Sequence, residues 1–334
     1  MNGNEGTMVM KTTTAILVSL LFLAAASPEQ QITLPQNKNA ALRYWMAFAE
    51  MQDRIVDEAT TKLMEDVLSG AAAWDERQLG PVVEANIPAL HTMQKATALP
   101  ECNWGLDYEQ GSAMSIGHLP KARALARLNA LYGARQIAQG DTNGAVTTGL
   151  AGLRFAQHMA KDMGLIAVLS AKPALLANLH LLTKAVGSGP LSAESLQKIR
   201  SQIALLPRDG LDWPSAVKFE VWADAQALKY LGEGNNFQEK YKTFFSHEPP
   251  PASVAPAESD IVAYRALMKD VITALQLPYE QSKVRMQQIE TAEKSMHPAV
   301  QAIIPNYSRV NENRHQVALD LQELTKVLAG PRSH

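Results

Sequence analysis

The chain has 334 residues, 46% of them hydrophobic and 19% charged, so we expect one large or two modest domains, either able to bury a core. Its 31 basic and 33 acidic residues nearly balance, which argues against a dedicated nucleic-acid-binding protein, because such proteins normally carry a strongly basic face. Aromatic residues are only 6% of the chain, whereas alanine and leucine are abundant, and this composition favours helices over sheets.

The first 30 residues show the pattern of a cleavable secretory signal. Lys11 precedes an apolar run at residues 15–23, and Ala24, Ala25 and Ala26 provide the small residues of a cleavage site. We therefore predict an exported protein, periplasmic or extracellular, with its signal at residues 1–26. Retention of the signal as an N-terminal anchor is the alternative. Because a membrane span needs roughly 20 apolar residues, we expect no stable span after signal cleavage.

Cys102 is the only cysteine in the chain. An exported protein with one cysteine has no internal disulfide, so its stability must come from packing. We expect Cys102 to be a small buried residue, with a reactive thiol as the alternative.

The N-terminal third predicts three helices and then a loop. The first helix should start near Asn39, since asparagine caps helices well. The second covers residues 55–67 with Gly70 as its stop, and the third covers residues 82–98, where Pro88 can kink or break it. The first helix is expected to turn Leu42, Tyr44, Trp45, Phe48 and Met51 inward.

Residues 101–117 lack a helical period and contain Gly105 and Gly111. They predict an ordered loop that carries large side chains, and long loops in compact domains are often functional.

The strongest predicted helical hairpin begins at Pro120, a proline in a favourable first-turn position, and turns at residues 139–141. Small residues in its second helix, such as Gly149 and Gly152, would let a neighbouring helix approach closely. The next helix, residues 165–186, should bend at Pro173. It is apolar but interrupted by charged and polar residues, so it predicts a core helix rather than a membrane span.

The C-terminal half continues the helical pattern. Ser192 and Asp212 are expected to cap helices, the second of which runs over residues 215–231 with Trp222 among the apolar residues on one side, as core or rim packing. Residues 246–259 predict a proline-rich linker or loop. The predicted organisation is a main domain at residues 27–245, this linker, and C-terminal helices at 260–330 that pack on the main domain.

Residues 131–145 resemble the helix–turn–helix of tetratricopeptide repeats. Gly133 and Ala145 match the pair of small residues at which the two helices of that family touch. No second copy follows at the period of about 34 residues that this family has. The resemblance implies an all-α fold of antiparallel helical hairpins stacked into an irregular, tetratricopeptide-like domain.

A wider pattern resembles uncharacterised exported helical proteins of environmental bacteria. Its parts are residues 39–45, 102–107, 118–127 and the pair Gly140 and Asp141, which together span roughly the first two thirds of the chain. This resemblance implies export and a helical fold, and it carries no activity.

Motifs for nucleophilic catalysis and for phosphate binding are missing from the sequence. His158 and Asp162 lie one helical turn apart, and His118 lies just after the loop that contains Asp107 and Glu109. These five residues could surround a divalent ion, but no local spacing forces them together, so we predict no metal site and no cofactor. The alternative for His158 is a helix-edge residue satisfied by Asp162.

Trp104 stands beside Asp107 and Tyr108, and an aromatic ring next to a carboxylate can line a small-molecule pocket. Lys121, Arg123, Arg127 and Arg135 form a stripe that could bind an anion, although solvation or pairing with acids of a neighbouring helix is the favoured interpretation. The candidate pocket consists of Trp104, Asp107, Tyr108, His118, Arg123, Arg127, His158 and Asp162.

Three functions remain open. The first is an exported binding or scaffolding protein, whose partner is a protein or a small molecule; it predicts a groove lined by helix faces and no buried cluster of titratable groups. The second is an envelope hydrolase in which Asp107, His118 and His158 converge near Trp104. The third is a carrier of a small apolar ligand, which predicts an enclosed pocket lined by leucine, methionine and alanine.

Overall fold

The computed structural model describes residues 38–52, 57–161, 164–246 and 254–330. The predicted signal at residues 1–26, the start predicted for the second helix at residue 55, and the candidate Asp162 lie outside these ranges. The described residues from Lys38 onward form one compact unit.

The predicted all-α class is confirmed. The described part of the chain is 77% helical and contains no β-strand, only an isolated parallel bridge between Asn39 and Glu101. A 3₁₀ segment, Tyr108–Ala113, lies inside the predicted loop. The α-helices are α1 Ala40–Glu50, α2 Glu58–Ser69, α3 Glu76–Glu84, α4 Ile87–Thr97, α5 Leu119–Ala138, α6 Thr142–Ala160, α7 Leu165–Ser188, α8 Ala193–Ala204, α9 Trp213–Gly232, α10 Phe237–Phe245, α11 Glu258–Leu275, α12 Tyr279–Glu293, α13 Pro298–Ile303 and α14 Tyr307–Ala329.

Helix starts agree with the capping residues in the sequence. The side chains of Asn39, Asp141, Ser192 and Asp212 each accept a hydrogen bond from a backbone N–H two or three residues later. These bonds satisfy N–H groups that have no partner within the helix. The predicted starts of α1, α6, α8 and α9 are thus confirmed to within two residues.

The predicted helix over residues 82–98 is two helices. The break falls at Asn86, and Pro88 lies in the first turn of α4, where its missing N–H costs nothing. The preceding helix α3 contains Pro81 and was not predicted over its first six residues. Short helices α10 and α13 were also not predicted, because one or two turns give too little periodicity.

Helix α7 is the centre of the fold. It packs against α5, α6, α9 and α14 and continues through Pro173. Within the described residues it is the one helix long and apolar enough to cross a membrane by length and composition, and 56% of its most apolar 18-residue window is buried. The helix is apolar on most sides because neighbouring helices bury it from several directions.

Small residues allow α6 and α7 to approach closely, as predicted. A Cβ at Gly152 would lie 2.0 Å from Oδ1 of Asn178, and one at Gly149 would lie 2.9 Å from a Leu182 methyl. Gly133 of α5 likewise faces Leu181 of α7. The tetratricopeptide-like arrangement itself stays a prediction.

Two predictions about inward-facing side chains were wrong, because Leu42 is 54% exposed and Trp45 is 42% exposed. Helix α1 packs against α4 through a face that carries Tyr44 and Phe48, and Leu42 lies on the opposite face. The Trp45 ring lies at the edge of the packed face, 5.6 Å from the Phe48 ring between centroids, so part of it stays in solvent.

The helices after residue 254 pack on the earlier part of the chain. Helix α11 lies against α9, α14 lies against α7, and α12 lies against both α11 and α14. Ser246 and residues 254–257 are the described part of the predicted linker, and α11 already begins at Glu258.

Candidate functional site

Three of the predicted pocket residues meet in the core. The indole N–H of Trp104 donates to the backbone carbonyl of His158 at 2.9 Å, and its ring stacks on His118 with centroids 4.5 Å apart. The imidazole of His158 turns the other way and shares a hydrogen bond of 2.7 Å with the Tyr44 hydroxyl. Trp104, His118 and His158 are each less than 5% exposed, so this cluster is closed to solvent.

Both histidines of this cluster are neutral at neutral pH. Burial, together with the positive charges of Arg154 and Lys161, lowers the pKa of His158 to about 4. Burial also lowers the pKa of His118, whose Nε2 has no hydrogen-bond partner among the described residues. The alternative in which Asp162 satisfies His158 stays a prediction, because Asp162 lies outside the described residues; Nδ1 of His158 bonds Tyr44.

The other candidate residues lie away from this cluster. Asp107 is exposed and accepts a hydrogen bond from Gln110 at 2.6 Å, and Tyr108 is half-buried in a surface cleft. Arg123 is exposed, and Arg127 is also exposed, 3.8 Å from Glu65. The predicted pocket is therefore not one site.

Arg135 confirms the favoured interpretation of the basic stripe. Its guanidinium lies 2.7 Å from Glu76 and 2.7 Å from Glu84, both on α3. Among the described residues, no three histidine, cysteine, aspartate or glutamate side chains lie together in a way that could hold a metal ion.

A second buried titratable group lies in the core between α9 and α11. The Tyr264 hydroxyl donates to Asp224 at 2.7 Å. Burial raises the pKa of Asp224 to about 7; the bond from Tyr264 opposes this, and the charge of Glu220 adds to it. The hydroxyl of Tyr307 on α14 is buried with no partner among the described residues.

The buried group of Asp224, Tyr264 and Tyr307 differs from the expectation of the binding hypothesis, which predicted no buried cluster of titratable groups. The physical reason is that a protonated carboxyl bonded to a tyrosine can be buried at modest cost. Asp224 lines neither the groove nor the clefts described below, so we assign it to packing.

A groove of about 810 Å³ runs beside α14. Its walls come from the end of α8 and the following loop, from the start of α12, and from one face of α14. We call it the α14 groove. Its lining combines apolar side chains such as Leu206 and Leu321 with the charged residues Arg208, Asp209, Arg314 and Lys326.

Arg314 is the central charged residue of the α14 groove, and only 2% of it is exposed. Its Nη1 donates to Asp209 at 2.9 Å, to the carbonyl of Leu275 at 2.6 Å and to that of Leu277 at 3.1 Å. Its Nε donates to Asn311 at 3.0 Å. Burial lowers the pKa of Arg314 and the carboxylate of Asp209 opposes this, so the guanidinium stays charged.

An aromatic pair lines the same groove. The rings of Tyr279 on α12 and His315 on α14 stack with centroids 3.7 Å apart and planes 6° from parallel.

The described lining residues of the α14 groove include three cations and one carboxylate, Asp209, which is shared between Arg208 at 3.1 Å and Arg314 at 2.9 Å. The third cation, Lys326, lies 3.9 Å from Glu323 of the same helix. With both acids counted, one positive charge is in excess, and this charge favours an anion.

Sequence reasoning did not find the α14 groove. Its residues come from positions 203–209, 278–279 and 314–326, so no local motif contains them. The signal that was available is Arg314 itself, a charged residue on the apolar side of an amphipathic helix, next to the buried Val310 and Val317.

Comparison of the chain with protein families, with curated proteins and with solved structures finds no significant match. The class that the fold defines is an all-α protein built on a central apolar helix. The resemblance to exported helical proteins stays a prediction.

Proposed function

We propose that this protein is an exported binding protein without catalytic activity, whose ligand is a small organic anion with an apolar body held in the α14 groove. The observation that carries the proposal is a groove of about 810 Å³ in which a buried guanidinium, Arg314, lies beside a stacked aromatic pair. Export is supported by the signal pattern of residues 1–26.

The size and lining of the groove support this ligand class. Small-molecule sites typically measure about 300–1,000 Å³ and combine apolar walls with a few polar groups that fix orientation. Leu206, Leu321 and the Tyr279 ring supply apolar surface. Arg208 and Lys326, with side chains 57% and 74% exposed, can reach a carboxylate or sulfonate from the rim.

The two other functions have less support. The hydrolase hypothesis needs Asp107, His118 and His158 together, but the two histidines are buried whereas Asp107 is exposed. The carrier hypothesis needs a pocket lined by leucine, methionine and alanine, and the α14 groove is partly lined by charged residues.

The test compares two fluorescent probes of similar shape, the anionic 1-anilinonaphthalene-8-sulfonate and the uncharged N-phenyl-1-naphthylamine. We expect the sulfonate to bind more tightly, and the double variant Arg208→Ala, Lys326→Ala to weaken the sulfonate roughly tenfold, or about 1.4 kcal/mol, with little effect on the uncharged probe. Both replaced side chains are exposed, so the fold should be retained.

The matched control is the double variant Lys121→Ala, Arg123→Ala, which removes the same number of positive charges from an exposed part of α5. It should leave the binding of both probes unchanged. Equal weakening by the two double variants would mean that net charge, not the α14 groove, attracts the anion, and the proposal would fail.

A further inference from the structure

A second cleft, whose described lining carries no net charge, lies along one face of α9. One cavity of about 410 Å³ is lined by Asn103, Tyr108, Phe219 and Trp222, and another of about 530 Å³ has Ser215 and again Phe219 in its lining. Ser215, Phe219 and Trp222 follow one another at helical spacing, so they share a face over about 10 Å of helix. Because Phe219 lines both cavities, we treat them as one feature, the α9 cleft.

The aromatic end of the α9 cleft presents ring surface to solvent. Phe219 lies 6.3 Å from Tyr108 and 5.8 Å from Trp222 between ring centroids, and Trp222 is 43% exposed. Gly111, at φ 54°, brings the 3₁₀ segment against α9, because a Cβ at this position would lie 3.7 Å from Ala223 and 3.8 Å from the Trp222 ring. The 3₁₀ segment that begins at Tyr108 therefore packs on α9 beside the Trp222 ring.

The other end of the α9 cleft is mostly apolar and carries a few polar groups without a net charge. These are Gln157 and Ser215, together with one cation, Lys161, and one carboxylate, Asp212. Asn103 adds an amide at the aromatic end. Amide and hydroxyl groups can both donate to and accept from a ligand hydroxyl, and a carboxylate accepts from it. Exposed rings bind an apolar ring face that also carries polar edges.

We propose that the α9 cleft binds an uncharged oligosaccharide, with one sugar ring stacked on Trp222 and a ring further along the sugar chain hydrogen-bonded near Ser215 and Gln157. A pyranose ring has an apolar C–H face and a rim of hydroxyl groups, which match the two parts of the cleft. The α9 cleft and the α14 groove share Pro207 in their linings, but the cleft pairs one cation with one carboxylate whereas the groove carries excess positive charge. The sugar and the anion proposals are therefore tested separately.

The test uses three uncharged trisaccharides, chitotriose, cellotriose and maltotriose, at millimolar concentration, with saturation-transfer NMR on the full protein. We expect at least one of them to receive saturation and to lose at least tenfold in affinity with Trp222→Ala. Trp222→Phe keeps an aromatic face and should retain part of the binding. Absence of saturation transfer to all three sugars would overturn the proposal.

The matched control is Tyr230→Ala, since Tyr230 is a 48% exposed aromatic residue on the same helix but outside the α9 cleft. It should bind the sugar as the unaltered protein does. If Tyr230→Ala weakens binding as much as Trp222→Ala, or if Trp222→Ala leaves binding unchanged, the α9 cleft is not the sugar site. The variant Arg208→Ala, Lys326→Ala should bind the sugar normally whatever it does to the sulfonate probe.

Discussion

Arg314 and Asp209 are 105 residues apart in the chain, yet Nη1 of the arginine lies 2.9 Å from a carboxylate oxygen of the aspartate. The same Nη1 donates to the carbonyl groups of Leu275 and Leu277 at the end of α11. A cation is favourable there, because the carbonyl end of a helix carries partial negative charge. This side chain therefore joins α14, the loop before α9 and the end of α11.

Replacing Arg314 with methionine should be strongly destabilising. The variant keeps much of the side-chain volume but leaves Asp209 and two carbonyl groups without their donor, and breaking a buried ion pair costs about 3–5 kcal/mol. Urea unfolding measures the change. The comparison variant is Arg285→Met, which breaks the exposed pair with Asp270 and should cost no more than about 1 kcal/mol. Equal losses would show that the Arg314 contacts contribute nothing beyond a surface pair.

Asp224 should make the protein less stable as the pH rises. Its pKa is about 7 in the folded protein against an ordinary value of 3.8, so the folded state binds more protons and stability falls between about pH 4 and pH 7. Asp224→Asn cannot ionise and can still accept the Tyr264 hydrogen bond. Between pH 5 and pH 8, the free energy of unfolding of the variant should rise by roughly 3 kcal/mol relative to that of the unaltered protein.

Urea unfolding at pH 5 and pH 8 measures this gain, and Asp270→Asn, which changes an exposed carboxylate, is the control. If the stability difference between Asp224→Asn and the unaltered protein is the same at both pH values, Asp224 is ionised throughout and its assignment is wrong.

His158 should have the opposite effect at acid pH. Its pKa is lowered from 6.5 to about 4, so the folded state binds fewer protons than the unfolded state. The contribution of neutral His158 to stability is therefore complete above pH 6.5 and is lost as the pH falls toward 4. His158→Asn removes the titration and keeps an acceptor for Tyr44. From pH 7 to pH 4.5, the free energy of unfolding of the unaltered protein should fall by about 2.4 kcal/mol more than that of the variant.

The pH dependence is followed by urea unfolding, with His91→Asn, an exposed position on α4, as the control. If the loss of stability at acid pH persists in His158→Asn but disappears in His91→Asn, His158 is not buried as a neutral side chain.

Two glycine substitutions should change stability in opposite directions. At Gly152 a Cβ would meet the Asn178 amide, which is held by hydrogen bonds to Asn129 and to the Ala174 carbonyl, so Gly152→Ala should cost about 1–3 kcal/mol. At Gly187, in the last turn of α7, nothing lies within 4 Å, and Gly187→Ala should add about 0.5–1 kcal/mol through helix propensity. Thermal unfolding of both variants checks this, and a destabilised Gly187→Ala would count against the described path of α7.

The long helices were predictable because capping residues and repeated apolar positions mark them in the sequence. Asn39, Ser192 and Asp212 mark helix starts by a local hydrogen bond, and helices of several turns repeat their apolar positions often enough to be recognised. Helix α13, with six residues, has neither enough length nor enough repetition. Its position depends on packing against α9 and α11 instead.

The sites were less predictable because they depend on contacts between distant parts of the chain. Trp104 lies in a loop, and its burial depends on tertiary packing against Tyr44 of α1 and against the end of α6. Tyr108 was predicted as a pocket residue, but its partners Phe219 and Trp222 lie more than 100 positions away. No spacing rule connects such residues before the tertiary structure is known.

The most direct test of the central claim is a two-dimensional ¹H–¹⁵N NMR titration with 1-anilinonaphthalene-8-sulfonate. If the α14 groove is the anion site, the largest shifts should fall on backbone amides of Ala318, Gln322 and Lys326, which line it, while those of α2 stay in place. Saturable shifts centred elsewhere, or no shift at Ala318 and Gln322 while the probe is bound, would contradict the account.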